Sequence, residues 1–265
     1  ALVAGLENIF IGSMAGVATT TGENNVAIGH DAFLTSDGDG DRNVAIGFQA
    51  MTAADVSGAD NVAIGSNALD NLIAGADNVA IGSNAGDGTT SADDTIAIGH
   101  DAMGGAVTTG NRNIALGLTS LNKIEGGSDN IAIGRSAGKA MTNNDHNIAI
   151  GHHSLYSSAN DGHRNIAIGK YAMKLGDVSG FDNIALGSQA ANSLTSGADN
   201  VIIGGSSGDS VTTNTKNILI GSGSDASAGL DNAIAIGISA SVAQDNSMVL
   251  GSQTGEAFYI GIGGL

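Results

Sequence analysis

The chain lacks several residue types altogether. It contains no cysteine, no proline and no tryptophan, and aromatic residues make up only 3% of it. The absence of cysteine excludes disulfide bonds, zinc sites built from thiolates and catalysis by a thiol, although it identifies no compartment. The shortage of large side chains in 265 residues argues against one round core. Hydrophobic residues nevertheless account for 42% of the chain, which is too many for a disordered tail.

Positive charge is also scarce. Nine Lys and Arg residues stand against 26 Asp and Glu, which gives a net charge of −17. Binding to nucleic acid or to anionic lipid needs a Lys/Arg-rich surface, so neither partner is expected. No apolar run approaches the roughly 20 residues that a membrane-spanning helix requires, so no membrane insertion is expected. The first residues lack the basic segment of a signal peptide and already enter a repeat, which suggests a mature or trimmed chain.

Glycine, by contrast, occurs 42 times and marks an internal repeat. The sequences of segments Gly58–Ala68 and Gly75–Ala85 are identical. Aligning the motif Asn-[Val/Ile]-Ala-[Ile/Leu]-Gly gives fifteen repeats, spaced 17 or 18 residues apart until the last two intervals of 16 and 14. The repeat glycines are Gly12, Gly29, Gly47, Gly65, Gly82, Gly99, Gly117, Gly134, Gly151, Gly169, Gly187, Gly204, Gly221, Gly237 and Gly251. We interpret residues 1–251 as one repeat array.

The short repeats are themselves part of a longer repeat. An offset of 122 residues, or seven repeats, aligns the chain with itself without a gap. Arg42 then falls on Arg164, and His30 falls on His152. The simplest explanation is a duplicated block of seven repeats.

The repeat pattern predicts an all-β fold. Each Asn-Val-Ala-Ile reads as a short strand, the repeat glycine as a corner with positive φ or close backbone approach, and the following residues as a second short strand. Glycine every few residues opposes helix. The expected structure is a parallel β-solenoid of about 15 coils of 17–18 residues, in which no coil is stable alone. We interpret 252–265, with Phe258, Tyr259 and Ile260, as a C-terminal capping or closing segment.

Two columns of the repeat carry most of the structural information. An Asn precedes the strand in twelve repeats, which predicts a ladder of side-chain hydrogen bonds between coils rather than a ligand site. An Ala lies between the two aliphatic residues in eleven repeats. If the aliphatic residues point into the coil, the Ala column points outward as an apolar strip, which predicts an interface.

These columns, as in Asn61-Val62-Ala63-Ile64-Gly65, resemble the head domains of trimeric autotransporter adhesins, although the repeats here are longer. In those heads similar repeats form a left-handed parallel β-roll, and three rolls pack around one axis. The repeats are also similar to those of bacteriophage tail fibres. The resemblance implies an extracellular homotrimer at a cell surface or on a virion. It would present loops to a glycan or protein receptor and would have no enzymatic activity.

Two alternatives to an adhesin head remain open. One is a purely structural extracellular filament with no recognition role. The other is a carbohydrate-degrading spike, which would need an acidic cluster in a cleft between large irregular loops, whereas these loops are short and nearly uniform.

The candidates for metal chemistry are few. Asp37, Asp39 and Asp41 alternate in a glycine-rich loop and could offer oxygen ligands to Ca²⁺, but no bidentate Glu follows at the spacing of a calcium-binding loop. A solvated acidic loop is the favoured interpretation, and no other cofactor is expected. Six histidines occur: His30, His100, His146, His152, His153 and His163. The last four could approach one another across neighbouring coils, but surface or interface positions are expected rather than a zinc or catalytic site.

Overall fold

The computed structural model describes residues 6–17, 19, 21–34, 40–53, 56–158 and 162–251. These residues form short strands joined by turns, with no helix and therefore no helix that could cross a membrane. The strands are β1 (Ile9–Ile11), β2 (Val26–Ile28), β3 (Val44–Ile46), β4 (Val62–Ile64), β5 (Val79–Ile81), β6 (Ile96–Ile98), β7 (Ile114–Leu116), β8 (Ile131–Ile133), β9 (Ile148–Ile150), β10 (Ile166–Ile168), β11 (Ile184–Leu186), β12 (Val201–Ile203), β13 (Ile218–Ile220), β14 (Asp225–Ala226), β15 (Ile234–Ile236), β16 (Ser241–Val242) and β17 (Met248–Leu250).

Fifteen of these strands form one parallel sheet in chain order, with only β14 and β16 outside it. Each repeat strand pairs in register with that of the next repeat, so that Ala63, for example, lies beside Ala80. One repeat is therefore one coil of a β-solenoid, as the sequence predicts. At about 4.8 Å between parallel strands, fifteen strands extend over about 70 Å.

The orientation predicted for the strand side chains is wrong. The Ala column points into the coil, as at the fully buried Ala63, Ala115 and Ala132, and the flanking aliphatic residues point outward. Side chains alternate along a strand, so the ladder Asn and the Ala two residues later must share a face. The buried Asn ladder thus dictates a buried Ala. A small side chain suits the coils in which the opposite wall supplies the bulk, whereas the larger Ile202 is fully buried in the same column and lies against Gly208.

The opposite wall supplies large side chains four residues after the repeat glycine. Met51, Leu69, Met103, Leu121 and Met173 are all buried at this position. A second strand was predicted over this segment, but in most coils the chain makes turns, and among the described residues a second strand occurs only as β14 and β16. The turns arise because the second and fourth residues after the glycine are left-handed, as at Asn67 (φ 57°) and Leu69 (φ 49°). A strand requires negative φ at every residue.

The Asn ladder is confirmed. Asn61 Oδ1 accepts hydrogen bonds from the backbone N and the Nδ2 of Asn78, both at 3.0 Å. Asn61 Nδ2 donates to the Gly75 carbonyl oxygen at 2.9 Å. Each amide thus links its own coil to the next and also satisfies a turn carbonyl. Buried polar groups left without such partners would oppose folding, so the ladder is structural.

The repeat glycine combines the two properties expected of it. At Gly117 φ is 132°, and a Cβ there would lie 2.8 Å from both the carbonyl carbon and oxygen of Gly134. The corner therefore tolerates no side chain, because consecutive coils meet backbone to backbone. The predicted closing segment 252–265 lies outside the described residues.

Candidate functional site

The most extensive exposed feature is an aliphatic face. It consists of the first and third side chains of the strands of the large sheet, which point away from the coil interior. Ile81, Ile98, Ile133 and Leu186 are 37%, 38%, 37% and 42% exposed, although each is partly covered by the strands beside it. The described strands contribute only Val, Ile, Leu and Met to this face. An apolar strip therefore runs the length of the described solenoid.

One edge of the aliphatic face carries charged residues that pair across coils. This column is the residue before the ladder Asn, and it adopts the left-handed conformation throughout, as at Arg42 (φ 55°) and Asp60 (φ 61°). Arg42 binds Asp60 through two hydrogen bonds of 2.7 Å. These hydrogen bonds lower the pKa of the Asp60 carboxyl below its ordinary value. Arg164 and Asp182 form the same pair at 2.7 and 2.9 Å.

The opposite edge contains a group of positive and aromatic side chains, which we call the basic corner. It consists of Lys123, Arg135, Lys139, His152, His153, Tyr156, Lys170, Tyr171 and Lys174. These residues follow the repeat glycine by one, two, five or six positions in four consecutive coils, and those positions all lie on the outer turn. Five of the nine Lys and Arg residues of the chain are therefore gathered here, with two of its three tyrosines.

The rings of the basic corner form a continuous surface. His152 and His153 stack with centroids 4.0 Å apart, and the His153 ring lies 4.5 Å from that of Tyr156. Tyr171 lies 5.3 Å from His152. The ammonium groups of Lys174 and Lys170 are 4.4 and 4.8 Å from the centre of the Tyr171 ring. Cation–π attraction therefore holds these lysines against the ring.

The cations of the basic corner form no ion pair with any acidic residue that the structure describes. Within the described residues, no carboxylate oxygen lies within 4.0 Å of the nitrogens of Arg135, Lys139, Lys170 or Lys174. The pKa of His152 is lowered mainly by burial of the ring and, to a smaller extent, by the nearby cations. Burial and cations, including His152, likewise lower the pKa of His153. Both rings are therefore neutral at pH 7, and the positive charge resides on Lys and Arg.

A groove opens within the basic corner. It has a volume of about 290 Å³ and is lined by Lys123, Lys139, Ala140, Tyr156 and Ser157. This is close to the lower end of the roughly 300–1,000 Å³ found for small-molecule sites. A larger groove, of about 370 Å³, is lined by Asn71, Asp87 and neighbouring turn residues and contains no positive or aromatic side chain.

The histidines predicted to approach one another do so only in part. His152 and His153 stack, but His146 lies 3.7 Å from Asp129, and His163 Nδ1 accepts a hydrogen bond from the Asp145 backbone N. His30 is exposed, and its Nδ1 lies 3.0 Å from the carboxylate of its neighbour Asp31. Each of these Asp residues contacts one histidine. The contacts therefore do not bring the histidines together into one site.

The predicted calcium ligands Asp37 and Asp39 lie outside the described residues. Asp41 is described, and its Oδ1 accepts the backbone N–H of Glu23 at 2.8 Å. Among the described residues, no group of three or more His, Cys, Asp or Glu is arranged to hold a metal ion. Calcium binding by this loop stays a prediction.

Sequence reasoning missed the basic corner. The signal was present, since six of nine Lys and Arg residues fall between positions 123 and 174. Predicting the basic corner also required the turn geometry. This geometry places the first, second, fifth and sixth residues after the repeat glycine on one side of the solenoid. Comparison with known proteins adds no assignment: no protein-family model matches the chain, and no curated protein is significantly similar to it.

Proposed function

We propose that this chain forms the rigid shaft or head of an extracellular fibre. In this proposal three copies assemble through their aliphatic faces and present their outer turns to a cell surface. The fibre attaches and has no enzymatic activity. It belongs to a bacterial surface or to a virion, as the resemblance to adhesin heads and tail fibres implies.

The observation that carries the proposal is the size of the aliphatic face. A strip three residues wide and fifteen strands long has an area of roughly 700 Å². Monomeric proteins rarely expose contiguous apolar patches beyond a few hundred Å². A typical stable interface buries about 800 Å² on each partner, so the strip has the size that an interface needs. Its unbroken length suits another copy of the same strip.

The composition of the strip supports burial against other copies. Its charged neighbours lie at the edge, and three Arg–Asp pairs there, including Arg42 with Asp60, are formed along the chain's own axis. The number three comes from the resemblance to the adhesin heads, where similar rolls surround one axis.

The solenoid also supports a role in display. Successive coils are held by strand pairing, the Asn ladder and close backbone contact at the glycine corners, which gives a stiff rod. The outer turns vary in sequence while the interior columns repeat. A stiff rod with variable turns suits the presentation of a surface to a receptor.

The first experiment measures the mass of the purified chain by light scattering. We expect a homotrimer for the wild type and dissociation, or failure to assemble, for a variant carrying Ile98→Glu and Ile133→Glu. Each buried unpaired carboxylate would cost several kcal/mol. Ser66→Glu with Ser83→Glu, on the outer turn, is the control and should leave the assembly intact. A monomeric wild type would refute the proposal.

The second experiment separates an adhesin from a filament without recognition. Labelled trimer is tested for saturable binding to whole cells, and release of sugar from the cell surface is measured in parallel. Saturable binding without sugar release supports attachment. Absence of binding to every cell type tested would leave the structural filament, and catalytic sugar release would instead identify a degrading spike.

A further inference from the structure

The basic corner is exceptional on this chain because its charge opposes the charge of the whole. The turn position five residues after the repeat glycine is Asp70 and Asp87 in earlier coils and Asp209 in a later one. At the same position the basic corner has Lys139, Tyr156 and Lys174. The outer surface therefore changes from acidic to basic and back to acidic along one row of turns.

We infer that the basic corner binds an acidic oligosaccharide, in which carboxylate or sulfate groups are carried on sugar rings. The lysines and Arg135 would bind the acidic groups, and the half-buried rings of Tyr156 and Tyr171 would pack against the sugar. This inference rests on the proposed attachment function and names the chemistry of the receptor.

Two features of the geometry favour a sugar over a bare anion. A pyranose ring has an apolar face of C–H bonds, which packs on an aromatic ring, and the corner offers adjoining rings from His152 to Tyr171. The cations lie beside these rings, with Lys139 5.9 Å from the Tyr156 ring centre and Lys174 4.4 Å from that of Tyr171. A bare anion would use the cations and leave the rings unused.

The distribution of charge favours a ligand that contacts this corner alone. Elsewhere the chain is strongly acidic, so a long polyanion lying along the rod would be repelled beyond the four coils of the corner. A short acidic segment of a glycan suits the site better. The neutral histidines add ring surface between the two tyrosines without adding charge at pH 7.

The binding test uses the assembled full-length chain and titration calorimetry with four probes. These are a heparin-derived hexasaccharide, hexagalacturonate, maltohexaose as the neutral sugar and a short polyphosphate as the anion without sugar. We expect the sulfated or the carboxylated hexasaccharide to bind about tenfold or more tightly than maltohexaose and polyphosphate. Because the heparin hexasaccharide carries carboxylates as well as sulfates, binding of hexagalacturonate would show that carboxylates suffice, and binding of the heparin hexasaccharide alone would show that sulfates are required.

Two sets of variants separate the contributions of rings and charges. Tyr156→Leu with Tyr171→Gln removes the rings, and each new residue is the one found 122 positions earlier in the chain. It should weaken binding about tenfold at low and high salt alike. Lys139→Gln should weaken binding mainly at low salt, whereas the matched charge change Lys216→Gln, outside the corner, should have no effect.

The outcomes distinguish this inference from the proposed function. If cells bind the trimer but neither acidic hexasaccharide does, the inference is wrong and the attachment function survives. Equal binding of polyphosphate, or ring variants that bind like wild type, would also overturn it. If the corner variants dissociate the trimer in light scattering, the corner belongs to the subunit interface and the inference fails on that ground.

Discussion

The two copies of the duplicated block have the same interior and different outer turns. Asn43, Ala45 and Met51 of the first block correspond to Asn165, Ala167 and Met173 of the second, and all six are buried. The backbone agrees as well, since φ is 138° at both Gly47 and Gly169. The interior columns alone therefore suffice to build the same coil twice.

The outer turns have diverged between the blocks. His30 and His152 occupy the same position, but Phe48-Gln49 of the first block corresponds to Lys170-Tyr171 of the second. Phe48 is 50% exposed and stacks on His30 at 5.7 Å, so this turn offers a ring surface with neither Lys nor Arg beside it. The basic corner is thus a property of the second block. The comparison teaches that interior columns determine the fold, whereas the outer turns carry the surface chemistry of each block.

If the aliphatic face is one interface through both blocks, disrupting it in either block should have the same large effect. Ile46→Glu with Ile64→Glu changes the first block, and Ile168→Glu with Leu186→Glu changes the second at the matching positions. Each pair should abolish assembly, because several unpaired carboxylates would be buried around one axis. Light scattering measures both. Dissociation by one pair only would restrict the interface to that block.

The face also shows where sequence reasoning succeeds and where it fails. The period and the strict glycine predict the coil, its parallel stacking and the absence of helix, because each depends on local geometry. The direction of Ala63 was predicted wrongly because larger aliphatic residues were assumed to fill the interior. Combining the buried Asn61 ladder with the two-residue alternation of strands would have given the right direction.

The glycine corner should be equally intolerant in the two blocks. Added Cβ atoms at Gly47 and Gly169 would lie 2.4 and 2.3 Å from the carbonyl oxygen of the following repeat glycine. Gly47→Val and Gly169→Val should each destabilise the coil by about 3 kcal/mol or more, from steric overlap and a φ that β-branched residues avoid. Denaturant unfolding measures the loss. A mild effect in one block alone would show that its corner can relax.

The binding chemistry of the second block should be transferable to the first. Asp31→His, Leu34→Tyr, Phe48→Lys and Gln49→Tyr install the counterparts of His153, Tyr156, Lys170 and Tyr171. Calorimetry should then show two acidic oligosaccharides bound per chain in place of one. The new site should be weaker, because the counterparts of Arg135, Lys139 and Lys174 are still Ser13, Val17 and Thr52. An unchanged stoichiometry, with assembly intact, would mean that the corner needs more than these turn residues.

From the sequence, the composition of the basic corner could be predicted but not its arrangement. Clustering of Lys and Tyr near positions 139–174 is visible, but which of them share a surface depends on the turn. The left-handed residues at His153 and Tyr171, with φ of 56° and 64°, set the directions of these rings. Non-glycine residues adopt this conformation infrequently, so it is not expected from local propensity.

The smallest predicted difference between the two blocks concerns the stability contributed by the ion pairs at the other edge of the aliphatic face. Arg42 and Arg164 pair alike with Asp60 and Asp182, but only Arg164 also lies against an aromatic ring, 5.7 Å from the centre of Phe181. The position that matches Phe181 is Ala59. Arg164→Gln should therefore lower the melting temperature slightly more than Arg42→Gln at pH 7.

Lowering the pH separates the two contributions. The hydrogen bonds from Arg42 and Arg164 lower the pKa values of Asp60 and Asp182 below the ordinary 3.8. A depressed carboxyl pKa stabilises the fold above its unfolded value, and that stabilisation is lost as the pH falls through the folded value. Below pH 3.8 the effect of Arg42→Gln should fade as Asp60 becomes protonated. That of Arg164→Gln should fade only in part, because its contact with Phe181 does not depend on a proton. Equal melting temperatures for the two variants throughout the titration would show that the ring contact contributes nothing.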